Sequence, residues 1–254
     1  MLSVWLHGWA TDNRVFSPLR DSLADLPGLE ILAPNLALWL DPACPESWGP
    51  SLARRLEAEA PAGRPLILCG WSMGAMLALE AALNLGERVK GLLLFSGCAR
   101  FIRDSANPEG QDPRALRLMQ RRLASSPESV LRDFYGRMFT PDEAEARVRF
   151  RRLLEPEYLG QRTEWLSAGL EYLLLTDLRT ALRDIHAPAL VLHGAADRVT
   201  APALGKSLGT SLPEAGFVEL GSSGHLPFWP GSRETAALTG GFIARIMRIR
   251  SAND

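Results

Sequence analysis

One pentapeptide constrains this chain more than any other feature: Gly70-Trp71-Ser72-Met73-Gly74. It follows the short apolar run Leu66-Ile67-Leu68-Cys69 and precedes Met73–Leu85, where apolar residues recur at helical spacing. The pattern predicts a strand, a sharp turn and a helix, with Ser72 on the turn. The reason is steric. A serine on so tight a turn projects its hydroxyl outward, and flanking glycines let the backbone approach its neighbours without a β-carbon clash. The helix that follows aims its N-terminal N–H groups and the positive end of its dipole at the same point. Ala75 and Ala78 leave that helix room to lie close to a sheet. Ser72 is therefore a candidate nucleophile, the bland alternative being a purely structural turn.

The rest of the chain repeats the strand–helix rhythm. Apolar runs at Leu2–Leu6, Ile31–Ala33, Leu66–Cys69, Leu92–Phe95, Ala189–Leu192 and Phe217–Leu220 read as short strands covered on both faces. Helical periodicity marks Val15–Leu26, Ser51–Ala60, Met73–Leu85, Pro202–Leu212 and Thr235–Ile249. The alternation predicts an α/β fold with a mostly parallel sheet of about six strands flanked by helices. From residue 100 to 185 no strand is evident. Helical segments there are separated by Asn107-Pro108, Pro127, Pro141 and Pro156. Such a stretch is too long for a loop and reads as a helical cap inserted between two strands. The core is then 1–99 with 186–254, and the cap 100–185. With 15 Arg against 14 Asp plus Glu, the cap is close to neutral.

A serine hydroxyl needs a base, and the base needs a group to orient it. Four histidines are available: His7, His186, His193 and His225. His225 lies in the loop Gly221-Ser222-Ser223-Gly224-His225-Leu226-Pro227, after the last strand and before the last helix, where it can reach over the carboxyl edge of the sheet. His193 ends a strand and reads as a satisfied residue behind the site, and His186 falls at the opposite edge. Asp197 follows the strand Val191-Leu192-His193 and precedes His225 by 28 residues, which gives the chain order Ser, Asp, His. Asp177 and Asp184 compete less well, because neither follows a strand. His7-Gly8-Trp9 follows the first strand. The backbone N–H groups of Trp9 and Met73 are the candidate oxyanion donors, and the indoles of Trp9 and Trp71 the candidate pocket lining.

Composition removes other classes of function. A net charge of -1 offers no field for nucleic acid or an anionic membrane. Cys44, Cys69 and Cys98 are odd in number and lack metal-ligand spacing, which points to a reducing compartment and to neither disulfides nor a metal. The N-terminus has no basic, cleavable leader, and no apolar run of membrane-spanning length occurs. A cytoplasmic monomer needing no cofactor is the expectation.

Leu6-His7-Gly8-Trp9, Gly70-Trp71-Ser72-Met73-Gly74, Leu170-Glu171 with Thr176-Asp177-Leu178-Arg179, and His193-Gly194 with Asp197 together resemble the BioH family. These are the pimeloyl-[acyl-carrier protein] methyl ester esterases of biotin synthesis, with the α/β-hydrolase fold. The resemblance runs over nearly the whole chain. It implies a serine carboxylesterase whose substrate touches Trp9, Ser72, Met73, His225 and the cap segment Phe134-Tyr135-Gly136-Arg137-Met138, with Phe134 and Met138 as lining. It also implies an acyl-carrier protein docked on cap arginines, here Arg121 and Arg122 on one helix and Arg147, Arg149, Arg151 and Arg152 on another. The alternative for these arginines is a solvated face balanced by Asp142, Glu143 and Glu145. The chain differs from the family in opening at what corresponds to its third strand. It also carries Ala33-Pro34-Asn35-Leu36-Ala37-Leu38-Trp39 where the family has Asp-x-Pro-Gly-x-Gly-x-Ser. Other uses of the same residues are a generic short-chain carboxylesterase, a lyase of menaquinone synthesis, or a non-catalytic receptor on a hydrolase scaffold.

Overall fold

All six strands of the sheet run parallel, in the order β2-β1-β3-β4-β5-β6. The computed structural model describes residues 1–23, 26–158, 163–229 and 233–251. Along the chain these form β1 (Leu2–Leu6), α1 (Ser17–Leu23), β2 (Glu30–Leu32), α2 (Leu36–Trp39), α3 (Trp48–Glu59), β3 (Leu66–Trp71), α4 (Met73–Leu85) and β4 (Val89–Phe95). There follow α5 (Pro113–Ser125), α6 (Pro127–Met138), α7 (Ala144–Tyr158), α8 (Thr163–Leu175), β5 (Ala189–Gly194), α9 (Pro202–Ser211), β6 (Ala215–Leu220) and α10 (Arg233–Ser251). Parallel neighbours require crossovers, and the helices that supply them cover the sheet.

The inner strands β1 and β3 are buried at every residue, and β4 at every residue but Lys90, as their largely apolar runs require. The edge strands depart from the expectation of cover on both faces: β2 and β6 remain partly exposed. Several elements also differ from the sequence reading at their ends. The first helical run, expected over Val15–Leu26, divides into a 3₁₀ turn at Asn13–Phe16 and α1. Pro18, which lacks an N–H, fits in the first turn of α1. Strand β3 continues through Gly70 and Trp71, which pair with Leu94 and Phe95, and β4 begins at Val89 rather than Leu92. Glycine reads as a breaker in sequence but costs little where neighbouring strands hold the backbone. The short α2 has no period to announce it; Asn35 caps it by accepting from Ala37 N.

Helices α5 to α8 all fall between β4 and β5. The two ends of this insertion are clasped together. Leu178 N donates to Ala99 O at 2.9 Å, and the Arg100 guanidinium donates to the carbonyls of Leu174, Leu175 and Thr176 at the end of α8. Arg179 bridges Asp104 at 2.8 Å and Asp177 at 2.6 Å. The Thr176-Asp177-Leu178-Arg179 segment is thus the neck of the insertion. Asp177 is committed there, away from His225.

The order of the strands reverses between β1 and β3, which opens a crevice at their carboxyl ends. Among the described residues three non-glycine residues have positive φ: Ala10 at 55°, Ser72 at 56° and Ser96 at 46°. They follow β1, β3 and β4 respectively, so the strained backbone gathers along this edge.

Candidate active site

Strand β3 delivers Ser72 to the crevice. Ser72 N donates to Phe95 O at 2.9 Å, and its own carbonyl accepts from Ala75 N, the first turn of α4. That turn exists only because its neighbours lack β-carbons. A β-carbon on Gly70 would overlap the carbonyl of Gly74, and one on Gly74 would overlap that of Leu6. These two glycines, rather than Ala75 and Ala78 alone, set how closely α4 lies against the sheet.

The loop after β6 brings in His225, fully buried, with Nε2 3.0 Å from Ser72 Oγ. Its Nδ1 lies 2.8 Å from Asp197 Oδ2. An ionised carboxylate can only accept, so Nδ1 carries the proton and Nε2 is left to accept from the serine hydroxyl. Asp197 is buried, with Oδ1 accepting from Val199 N at 2.8 Å and Thr200 N at 2.9 Å. Burial pushes its carboxyl up, but electrostatic attraction to the His225 ring and hydrogen bonds from His193 and His225 outweigh burial and hold it well below the usual carboxylate range.

His193 reaches the same oxygen: its Nε2 lies 3.2 Å from Asp197 Oδ2 and 2.9 Å from Thr200 O. Both partners accept, so Nε2 is protonated. Two imidazoles thus share one carboxylate oxygen, and Gly205 leaves the room the second ring needs. His186 lies on the far edge, in a groove of about 630 Å³ lined also by Asp184, Glu87, Lys90 and Ile246.

The turn after β1 is fixed by its own side chains. The Gly8 carbonyl accepts from His7 Nδ1 at 2.9 Å and from Thr11 Oγ1 at 3.0 Å, while His7 Nε2 accepts from Leu36 N at 2.9 Å. The 8–9 peptide is trans, so clamping its oxygen aims the Trp9 N–H the opposite way. Among the described residues neither the Trp9 nor the Met73 amide has a hydrogen-bond partner. Burial lowers the His7 pKa to about 4, so the ring is neutral and serves both bonds. Sequence reasoning missed this role of His7, because its partner Leu36 lies on the unannounced α2.

The insertion closes over these groups. Trp9 Nε1 donates to Leu166 O on α8 at 2.8 Å, and its ring meets Phe134 edge-on at 4.8 Å. Met138, at the end of α6, is fully buried. Trp71 sits lower, packed against His225 and donating from Nε1 to the His225 carbonyl at 2.8 Å. The arginines lie on the outside: Arg121, Arg147, Arg151 and Arg152 are exposed, Arg122 pairs with Asp133, and Arg149 donates to Trp229 O. Among the described residues no three His, Cys, Asp or Glu side chains group as a metal site.

A hydroxyl, an imidazole and a carboxylate in series are equipped for acyl transfer to the serine. Comparison with known proteins agrees in kind. The sequence pattern of the alpha/beta hydrolase family matches residues 4–238. A pimeloyl-[acyl-carrier protein] methyl ester esterase of Stenotrophomonas maltophilia is 31% identical over 248 residues, covering 96% of this chain and 93% of that one. Among solved structures, a bromoperoxidase from Bacillus anthracis superposes with a TM-score of 0.81 at 16% identity, covering 96% of this chain and 91% of its own. An esterase from Exiguobacterium antarcticum does so with 0.78 at 20%, covering 97% and 92%. Identities that low speak for the fold alone. The family pattern and the Stenotrophomonas relative go further: the chain belongs to the alpha/beta hydrolase family.

Proposed function

We propose that this protein is a serine carboxylesterase that hydrolyses the methyl ester of a pimeloyl group borne on acyl-carrier protein, in biotin synthesis. The observation that carries the chemistry is the unbroken series Ser72 Oγ, His225 and Asp197, with links of 3.0 and 2.8 Å. His225 Nε2 takes the hydroxyl proton as Ser72 Oγ attacks the ester carbonyl. Asp197 holds the ring in the required tautomer and stabilises the imidazolium. The Trp9 and Met73 amides receive the charge on the tetrahedral oxygen; one such donor is generally worth about 10²–10³ in kcat. The imidazolium returns the proton to the departing alkoxide, methanol leaves, and water hydrolyses the acyl-enzyme by the same steps.

The helical insertion acts as the cap of the acyl pocket, with Trp9, Met73, Phe134 and Met138 as its walls and Trp71 as the support beneath His225. The substrate assignment rests on the relatives named pimeloyl-[acyl-carrier protein] methyl ester esterase. The exposed arginines of α5 and α7 offer positive charge that would complement an acidic carrier. No helix of the described chain is long and apolar enough to cross a membrane.

Ser72→Ala should abolish turnover of a p-nitrophenyl ester and labelling by a fluorophosphonate while the circular dichroism spectrum is unchanged. Turnover at the wild-type rate would remove the acyl-enzyme mechanism. The substrate is tested by comparing pimeloyl-carrier methyl ester with short free methyl esters. Preference for the carrier-bound ester supports the biotin role, and equal rates leave a general carboxylesterase.

A further inference from the structure

The loop bearing His225 is fastened in part by groups that do not belong to the sheet domain. Glu143, at the turn between α6 and α7, is buried with 7% of its surface exposed. Its Oε1 accepts from Gly224 N at 3.0 Å and its Oε2 from Thr140 N at 2.7 Å. The next amide, His225 N, donates to Met138 O at 2.8 Å. Trp71 Nε1 holds the His225 carbonyl from the other side. Two of these three backbone anchors therefore come from the insertion. A β-carbon on Gly224 would lie 2.5 Å from Met138 O and 2.8 Å from Glu143 Oε2, so glycine is needed for the contact to form.

We infer that Glu143 is a positioning residue for His225: its carboxylate, carried by the insertion, fixes the Gly224–His225 backbone and so makes the base ready only when the insertion is seated. This rests on the reading of His225 as the base. The chemistry requires a carboxylate. Two N–H donors converge on one side chain, and an ionised carboxylate can accept both. Glutamine fills the same volume but has a single accepting oxygen, and its NH₂ must face one of the two donors. Burial makes that mismatch consequential, because a buried N–H left unpaired is costly. A base moved by a fraction of an ångström from the hydroxyl it deprotonates loses rate in the chemical step, while the substrate-binding walls stay where they are.

The test uses the full chain with Glu143→Gln and Glu143→Ala, assayed on a p-nitrophenyl ester, with rates normalised to the folded fraction by circular dichroism and gel filtration. We expect kcat to fall about tenfold in Glu143→Gln and about a hundredfold in Glu143→Ala, with KM within about twofold of wild type. Glu143→Gln, being isosteric, guards against a simple failure to fold. An unchanged kcat in the folded variants would overturn the inference. So would a loss that disappears on normalisation, which is what a merely structural role gives. Ser72→Ala and His225→Ala are run alongside; if they keep wild-type turnover, the catalytic reading has failed rather than the role of Glu143.

Discussion

A β-carbon on Gly74 would overlap the carbonyl oxygen of Leu6, so the start of α4 rests directly on the end of β1. This contact ties the helix that starts at Met73 to the strand that leads into the turn bearing Trp9, the two proposed oxyanion donors. Gly74→Ala must therefore push α4 away from the sheet, since the obstacle is backbone and cannot rotate aside. Overpacking of this kind costs about 1–3 kcal/mol. We expect a lower denaturation midpoint and, in the protein that remains folded, a kcat reduced by at least tenfold as the two amides separate. Wild-type kcat in a folded Gly74→Ala variant would show that the two donors do not act together.

Asp197→Asn separates orientation from support of the fold. An asparagine can keep its oxygen on Val199 N and Thr200 N, which preserves the turn. Its NH₂ then faces His193 Nε2, which keeps its bond to Thr200 O, and His225 Nδ1, which must give up its proton and place it on Nε2. In that tautomer the ring cannot accept from Ser72, and kcat should fall by about 10⁴ with little change in KM. Steady-state kinetics on a p-nitrophenyl ester decide the matter; a fall of less than tenfold would mean that His225 does not depend on Asp197 for its orientation.

The buried neutral ring of His7 predicts acid sensitivity. Its pKa falls from 6.5 to about 4 on folding because burial disfavours the charged form. Between those values the unfolded chain binds a proton that the folded chain refuses, so stability is complete above pH 6.5 and declines as pH falls towards 4. The loss attributable to this ring is about 3 kcal/mol. Urea denaturation of wild type and His7→Gln across pH 4 to 7 isolates it, because other titrating groups are common to both. The two curves should converge towards pH 4; parallel curves would refute the assignment.

Ser72, Asp197 and His225 were legible in sequence because each stands just beyond the carboxyl end of a strand, and strand ends are marked by apolar runs and glycines. The parallel sheet followed from the same runs. What the pattern could not carry was contact between segments distant in the chain. Glu143 reads as one of several acids balancing the arginines of α7, and only the packing of the insertion brings it to Gly224. His193 reads as a residue behind the site, but that it shares an oxygen of Asp197 with His225 depends on the fold of the 194–197 turn. The burial of Trp71 beneath His225, rather than in a pocket wall, likewise depends on where the loop after β6 comes to rest.

Charge reversal on α7 tests the proposed carrier surface. Arg147 and Arg151 are one turn apart on the same exposed face, and neither lies at the Ser72 site. An acidic carrier docking there gains attraction that salt screens, each exposed pair being worth roughly 0.2–1 kcal/mol. Replacing both arginines with glutamate removes attraction and adds repulsion, so KM for the carrier-bound methyl ester should rise about tenfold or more at low ionic strength. Turnover of a p-nitrophenyl ester, which needs no carrier, should stay within twofold, roughly the spread of a neutral surface change. The difference between the two substrates should shrink as salt is raised to about 0.5 M, where the screening length has fallen to roughly 4 Å. If KM for the carrier-bound ester is unmoved, α7 is a solvated face and the carrier is met elsewhere.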